Sequence, residues 1–252
     1  MFEDLMPLPK TEVSTTPQYR QIVNSIRKDI SAGVLKEHAP LPSERIIAER
    51  QKVSRMTARR ALETLELEGL VYSEKRRGRF VSPPRLTYDI SSMVSLAAHT
   101  QEHGNSLEIN VISSAITDAN AHVASLLGIL PGTQLYQYTR VFRSKGHAIF
   151  VETEYVVASV CPNFLSHNLQ QSTMKLLENH HNIKTQHGDV KIRMRGMSAV
   201  EAQWLGLQEN HAGIELEQLV YDTNNRPFCL GYQMWRGELA EFSARAIVNQ
   251  ND

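Results

Sequence analysis

The chain has 252 residues, with 27 Lys and Arg against 27 Asp and Glu, and 41% of its residues are hydrophobic. This length suits one or two domains with a substantial core, and the composition excludes a disordered or low-complexity protein. No stretch approaches the roughly 20 apolar residues of a membrane span. The acidic N-terminus, with Pro7 and Pro9, is not expected to be a signal peptide. The two cysteines, Cys161 and Cys229, suit a reducing cytoplasm.

Charge is unevenly distributed along the chain. Residues 17–85 carry fifteen Lys and Arg against eight Asp and Glu, whereas residues 86–252 carry eleven against sixteen. This asymmetry predicts a polyanion-binding domain joined to a different kind of body. The stiff segment Ser82–Arg85, with its two prolines, is the natural boundary. We therefore predict a flexible tail over 1–16, a first domain over 17–82, a linker over 83–90 and a second domain over 91–252.

The basic segment has the pattern of a helix-turn-helix. Apolar residues recur at helical spacing over 19–30, and Gly33 predicts the end of this first helix. Ser43 is a good N-cap for a short helix over about 44–51, and Ser54 caps a third helix soon after. Two short helices separated by so brief a turn are typical of a helix-turn-helix.

Polar side chains crowd the first two turns of the third helix, which carry Arg55, Thr57, Arg59 and Arg60. In a helix-turn-helix this end enters the major groove, where Arg can bind guanine or phosphate and Thr can contact a thymine methyl group. Two predicted strands flank a basic tip over 75–78, which predicts a wing along the DNA backbone or minor groove. A solvated basic face is the alternative, and we favour DNA binding.

Three motifs in this segment resemble the GntR family of bacterial transcription regulators. They are Leu41-Pro42-Ser43-Glu44-Arg45, Val53-Ser54-Arg55-Met56-Thr57 and Arg77-Gly78-Arg79-Phe80-Val81. The resemblance implies a winged helix-turn-helix that binds double-stranded DNA. The contacts that it implies come from Arg45, Arg55, Thr57, Arg59, Arg77 and Gly78. Charge alone makes Arg60 a predicted phosphate contact.

The second half of the chain alternates strands and helices, and its pattern recurs. We predict a helix over 92–103, a strand over 107–113, a helix capped by Asp118 and a hairpin around Lys145-Gly146. Later, a Ser198–Glu201 capping box begins another helix, and two strands follow it. The helices end in Leu-Gly pairs that lie 78 residues apart. We predict two related halves that build one antiparallel sheet with helices against it.

This arrangement resembles the UTRA domain of the HutC subfamily, whose fold is similar to chorismate lyase. The resemblance covers roughly residues 90–248 and implies an α+β protein that dimerises through this domain and binds a small anionic effector between its halves. Phe142 stands where some relatives that bind sugar phosphates have a second Arg, which favours a smaller anion such as a phosphonate. A sugar phosphate and a urocanate-like acid are the alternatives.

Several charged and hydroxyl side chains are candidates for effector binding. Arg140 lies on an otherwise apolar strand face between Tyr138 and Phe142, and such a charge needs a partner. Hydroxyls at helix starts suit phosphate oxygens. The predicted set is Ser95, Arg140, Glu152, Ser172, Arg193, Tyr232 and Trp235. The alternatives are a structural Arg140–Glu152 ion pair and a solvated strand face around Arg193.

No catalytic constellation stands out in the sequence. There is no phosphate-binding glycine loop, nucleophile elbow or zinc-binding cysteine pair, and His99 and His103 have metal-ligand spacing without a third ligand. We therefore expect no catalysis, metal or cofactor. The predicted function is that of a bacterial repressor, a cytoplasmic homodimer that binds a palindromic operator and no membrane, and is nucleoid-associated when on DNA. A C-terminal domain that only dimerises, or a lyase-like enzyme, are the alternatives.

Overall fold

The computed structural model describes residues 16–91 and 107–245. The predicted tail, apart from Thr16, and the predicted helix with Ser95, His99 and His103 lie outside the described residues. The chain divides into two compact units, which separate between Ser82 and Pro83 except that Glu74–Arg77 group with the second unit. No helix in the described ranges is long and apolar enough to cross a membrane.

The first unit consists of three helices and a two-stranded hairpin. They are α1 (Gln18–Ser31), α2 (Glu44–Gln51), α3 (Arg55–Leu67), β1 (Val71–Glu74) and β2 (Gly78–Val81). The Ser43 side chain accepts a hydrogen bond from Ile46 N at the start of α2, and Ser54 accepts one from Thr57 N at the start of α3. The predicted winged helix-turn-helix is therefore confirmed, including both caps.

The core of the first unit joins all three helices to the hairpin. Its buried residues are Ile22, Val23, Leu41, Ile47, Ala48, Ala58, Ala61, Leu62, Leu65, Val71 and Val81. Arg79 of β2 adds an ionic link, because its guanidinium lies 3.0 Å from Glu44 Oε1 and 3.2 Å from Glu66 Oε2. These bonds connect the hairpin to the start of α2 and the end of α3, and they were not predicted from the sequence.

The second unit is built on a six-stranded antiparallel sheet. In chain order its elements are β3 (Leu86–Asp89), β4 (Glu108–Asp118), α4 (Ala121–Leu127), β5 (Gln134–Ser144), β6 (His147–Val157), α5 (Thr173–His181), β7 (Thr185–Gly196), α6 (Ala199–Leu205), β8 (Ala212–Asp222), β9 (Pro227–Arg236) and β10 (Ala240–Ser243). The strands of the large sheet lie in the order β4-β5-β6-β9-β8-β7. Strand β3 pairs with β10 in a small parallel sheet.

The chain passes through the large sheet twice in the same pattern. The first pass is β4-α4-β5-β6 and the second is β7-α6-β8-β9, with β6 and β9 adjacent at the centre. Helix α4 ends at Gly128 and α6 at Gly206, both of which have the left-handed conformation (φ +62° and +71°) that favours glycine. This topology confirms the prediction of two related halves in one antiparallel sheet.

Two boundaries differ from the prediction. Asp118 is the last residue of β4, paired with Gln134 of β5, and Asn120 caps α4 by accepting a hydrogen bond from Val123 N at 2.9 Å. The strand continues beyond 113 because β5 is long enough to pair with all of it. Residues 86–89 of the predicted linker form β3, since Tyr88 is buried there against Trp235.

Candidate functional site

The side chains at the start of α3 differ in how free they are to contact a ligand. Ser54 Oγ lies 2.9 Å from Thr57 Oγ1 and 3.1 Å from Thr57 N, so the cap holds Thr57 half-buried. Arg55 and Met56 are exposed beside it. Within the described part of the chain, Arg55 has no hydrogen bond or ion pair. Its guanidinium is therefore available to a ligand at the helix N-terminus.

The other predicted DNA contacts are mostly engaged in exposed ion pairs. Arg45 lies 2.8 Å from Glu49, and Arg59 lies 2.8 Å from Glu63, each one helical turn further along. The hydrogen bond that Arg59 donates to Glu63, and the charge of Glu63, raise the pKa of Arg59. Water and salt screen exposed pairs of this kind, so a phosphate can replace the carboxylate at small cost.

The tip of the hairpin combines a charge with an unusual backbone. Arg77 bonds the carboxylate of Glu74, yet its side chain is exposed. Gly78 has φ +105°, and a Cβ there would meet no atom within 4 Å. Glycine is therefore needed for conformation rather than for space, and the open surface allows close approach of a DNA backbone.

A buried charge cluster lies on one face of the large sheet. Arg140 is 4% exposed, and its guanidinium donates to Glu152 Oε2 at 3.1 Å, to Glu154 Oε2 at 2.7 Å and to Thr173 Oγ1 at 3.0 Å. It also donates to the carbonyl oxygens of Leu169 (3.0 Å) and Gln171 (2.8 Å), just before α5. The Arg140–Glu152 ion pair that the sequence offered as an alternative is thus present.

Burial sets the protonation behaviour of this cluster. Burial and the charge of Glu152 raise the pKa of Glu154, although Arg140 and Thr173 oppose that shift. Burial works against the Arg140 charge, but the two carboxylates outweigh it and raise the pKa of Arg140. One permanent cation therefore faces two carboxyl groups, of which Glu154 takes up a proton more readily than an exposed glutamate.

The cluster continues through side chains to β3. Glu152 Oε1 accepts a hydrogen bond from Gln233 Nε2 at 2.8 Å, and Gln233 Oε1 accepts one from Trp235 Nε1 at 2.9 Å. The Trp235 ring stacks on Phe150 at 3.9 Å and on Tyr88 at 6.0 Å between centroids. Burial and the two carboxylates raise the pKa of Tyr88 to about 12. An unbroken chain of contacts therefore connects Arg140 with β3.

Strand register separates the predicted effector residues into two groups. Arg140 pairs with Glu152, and Glu152 with Gln233, so these side chains share one face. The Gln171 carbonyl and the Thr173 side chain both contact Arg140, and Ser172 lies between them in the chain. The Ser172 side chain caps α5. Trp235 shares this face and joins the cluster through Gln233.

Arg193 and Tyr232 lie on the opposite face of the sheet, which corrects their inclusion in one site with Arg140. Tyr232 pairs with Thr153, the neighbour of Glu152. Its hydroxyl lies 3.2 Å from His122 Nε2. Arg193 is 52% exposed and bonds Glu215 and Glu217. Because neighbouring residues of a strand point to opposite faces, spacing shows which residues of one strand share a face. It does not show which residues of different strands do, so this separation was not predicted.

Three members of the cluster were not predicted as site residues: Glu154, Thr173 and Gln233. Glu154 was detectable, since it follows Glu152 at strand period two. Thr173 and Gln233 reach Arg140 and Glu152 only through the tertiary fold, and nothing in their local sequence marks them. In the described ranges no group of three or more His, Cys, Asp or Glu is placed to hold a metal ion.

Comparison with known proteins relates both units to regulators. Residues 18–81 match the gntR family of bacterial regulatory proteins, and residues 102–241, more than half of the chain, match the UTRA domain. The repressor NagR of Bacillus subtilis is 27% identical over 229 residues, which cover 91% of this chain and 94% of NagR. The histidine utilization repressor of Klebsiella aerogenes is 27% identical over 157 residues, 62% of this chain and 65% of that protein.

Among solved structures, PhnF from Mycobacterium smegmatis has the same fold, with a TM-score of 0.63 at 22% sequence identity. The match covers 90% of this chain and 100% of the PhnF chain. NagR and the histidine utilization repressor are named as repressors, which agrees with the prediction that this chain is a regulator.

Proposed function

Because the chain belongs to the gntR family of bacterial regulatory proteins and carries a UTRA domain, we propose that it is a transcriptional repressor controlled by a small anionic effector. Arg55 carries the DNA-binding half of this proposal, since it is exposed and unpartnered among the described residues at the start of α3. NagR and the histidine utilization repressor are themselves named as repressors. The similarity to these two repressors supports the proposal that this chain represses transcription.

A homodimer places two copies of α3 in successive major grooves of a palindromic operator. Arg55 contacts a base edge, while Arg45, Arg59 and the Arg77–Gly78 tip contact phosphates, with Thr57 close to the DNA. Base contacts supply the specificity and phosphate contacts most of the salt-dependent affinity.

The effector site that we propose lies at the start of α5, next to Arg140. A helix N-terminus favours an anion, and the Arg140 guanidinium already reaches the two carbonyls just before this helix. An anion there competes with Glu152 and Glu154 for Arg140. The displaced carboxylates then accept hydrogen bonds, so the effector carries both an acid group and a donor. Ser95 is a further expected contact outside the described residues.

An aminophosphonate meets both requirements and is the effector class that we favour. Phe142 packs on Phe150 at 4.2 Å between ring centroids, so its position offers no second cation for a larger sugar phosphate. A urocanate-like acid is the second candidate, favoured by the similarity to the histidine utilization repressor.

The contacts from Arg140 to β3 supply a route for the response. When an anion draws Arg140 away from Glu152, the Glu152–Gln233 and Gln233–Trp235 hydrogen bonds rearrange, and the packing of Trp235 on Tyr88 changes. Strand β3 follows Pro83 and Pro84 in the chain, directly after the winged helix-turn-helix. We propose that a shift of β3 changes the placement of the two DNA-binding units of the dimer. Coupling of about 1–3 kcal/mol would change operator affinity 5- to 150-fold.

Thermal unfolding with aminophosphonates, sugar phosphates, urocanate and inorganic phosphate tests the effector site. An anion at about 100 times its dissociation constant should add roughly 2.7 kcal/mol of stability. Ser172→Ala should lose this shift. Ser198→Ala, which removes a comparable cap from α6, and Arg193→Gln on the other face should keep it. No shift with any anion would favour a domain that only dimerises.

A further inference from the structure

A concave notch lies between α1 and α3, beside the residues assigned to base reading. Its lining residues are Gln18, Tyr19, Met56, Thr57, Arg60 and Glu63. The Arg60 guanidinium lies over the Tyr19 ring at 4.2 Å from the centroid, a distance typical of a cation–π contact. The Arg20 guanidinium donates through Nε to the Tyr19 hydroxyl oxygen at 3.1 Å. Two cations therefore flank one phenol.

The positive charge of this notch is not balanced by carboxylates in the way that the charges of Arg27 and Arg59 are. Arg27 bonds Glu68 and Arg59 bonds Glu63. Neither Arg20 nor Arg60 has a carboxylate partner among the residues that the structure describes. Glu63 lines the notch, but its carboxylate is held by Arg59. The hydrogen bond from Arg20 and the charges of Arg20 and Arg60 lower the pKa of Tyr19, as a positive environment should.

We propose that this notch binds a backbone phosphate of the operator through Arg20, Arg60 and the Tyr19 hydroxyl. The proposal rests on the DNA-binding function proposed above and adds α1 to the DNA interface. The Tyr19 oxygen accepts from Arg20, so its own O–H is free to donate to a phosphate oxygen. Stacking on Tyr19 holds the Arg60 guanidinium in place before DNA arrives.

The position of the notch gives this phosphate contact a defined role. Met56 and Thr57 line it from the first turn of α3, so the bound phosphate lies next to the groove that Arg55 enters. Phosphate contacts fix the register of a recognition helix without reading sequence. We therefore assign the contact to positioning, with equal effect on every DNA sequence.

The salt dependence of DNA binding tests the proposal. Wild-type protein first selects its operator from a random-sequence duplex library, and affinity for operator and scrambled duplex is then measured between about 50 and 200 mM salt. Because the dimer carries two notches, Arg20→Gln and Arg60→Gln should each lower the slope of log affinity against log salt by about 1.8, or about 0.9 per phosphate, and weaken both duplexes by the same factor. Tyr19→Phe should keep the slope and weaken binding about 2- to 10-fold, the worth of one hydrogen bond.

Arg27→Gln is the matched control, because it removes the same charge from α1 at a site held by Glu68. Slopes for Arg20→Gln and Arg60→Gln equal to that of Arg27→Gln would overturn the proposal, provided that Arg55→Ala still abolishes operator preference. Failure of the wild type to select any operator would instead overturn the DNA-binding function. Competition by inorganic phosphate at constant ionic strength, lost in Arg60→Gln, would reassign the notch to a free anion.

Discussion

Trp235 donates its indole N–H to the side-chain oxygen of Gln233 over 2.9 Å, two residues away on the same face of β9. Gln233 uses its amide N–H₂ group to bind Glu152 at 2.8 Å, so one amide connects an aromatic stack to a buried ion pair. The amide orientation follows from these two partners, because its oxygen accepts and its nitrogen donates. The Gln233 side chain therefore connects Arg140, through Glu152, with Tyr88, through Trp235.

Replacement of Trp235 by Phe should uncouple effector binding from DNA binding. Phe keeps the aromatic stack between Phe150 and Tyr88 but removes the donor to Gln233. We expect the thermal shift with effector to persist, while the effector-induced change in operator affinity falls below about 3-fold, toward the weak end of allosteric coupling. Tyr88→Phe, which preserves the stack, is the control. A full response in Trp235→Phe would remove this hydrogen bond from the route.

Loss of Arg140 alone should be costly to stability. Arg140→Met leaves Glu152 and Glu154 buried without their cation, and breaking such a pair costs about 3–5 kcal/mol. Replacing all three residues, with Gln at both glutamate positions, should recover most of that loss, because no unpaired charge stays buried. Urea unfolding at neutral pH measures both effects. A cost below about 1 kcal/mol for Arg140→Met would show that the ion pair is not maintained in solution.

The lowered pKa of Glu238 predicts that the fold loses stability in acid. Burial would raise its pKa, but the His211 ring, with Nε2 3.6 Å from Oε2, and the Arg236 guanidinium, 3.0 Å from Oε1, outweigh burial and lower the pKa of Glu238 to about 2, from 4.5. A depressed carboxylate pKa stabilises the fold above pH 4.5, and this contribution declines as the pH falls toward 2. The Glu238 carboxylate contributes about 3 kcal/mol to the free energy of unfolding at neutral pH. Glu238→Gln should therefore unfold more easily at pH 7, and the difference from wild type should shrink steadily below pH 4.5.

Local signals in the sequence predicted the first unit almost completely. Ser43 and Ser54 are caps with a specific chemical preference, Gly33 ends the first helix with φ +71°, and the apolar spacing of α3 matches its buried side. Each of these depends on residues within a few positions of one another. The linkage of Arg79 to Glu44 and Glu66 spans distant positions, which is why it was not predicted.

The effector region was predicted less well because its geometry depends on pairing between strands. The apolar neighbours of Arg140 correctly indicated a buried charge that needs a partner. The sequence analysis grouped Arg193 and Tyr232 with Arg140, but a sheet face is defined by the register across β5, β6, β9, β8 and β7, which no local pattern reveals. Leu169 and Gln171 contribute backbone carbonyls, which no side-chain pattern can reveal.

Arg55→Ala should remove sequence preference. If Arg55 contacts a base edge, the substitution should weaken operator binding by about 1–3 kcal/mol and leave affinity for unrelated duplex DNA much less affected. Arg45→Ala is the comparison, because Arg45 is also exposed but is expected to contact phosphate only, and should weaken both duplexes alike. Equal losses on operator and unrelated DNA for Arg55→Ala would assign it to the backbone instead.

The most direct test of the account is operator affinity measured by fluorescence anisotropy, with and without the anion that raises the thermal midpoint. The duplex is the one that the wild-type protein selects from random sequence. We predict tight binding that exceeds binding to a scrambled duplex by about 10³-fold or more, and a decrease of about 5- to 150-fold when the anion is added. Equal affinity for the two duplexes, or an operator affinity that the bound anion leaves unchanged, would contradict it.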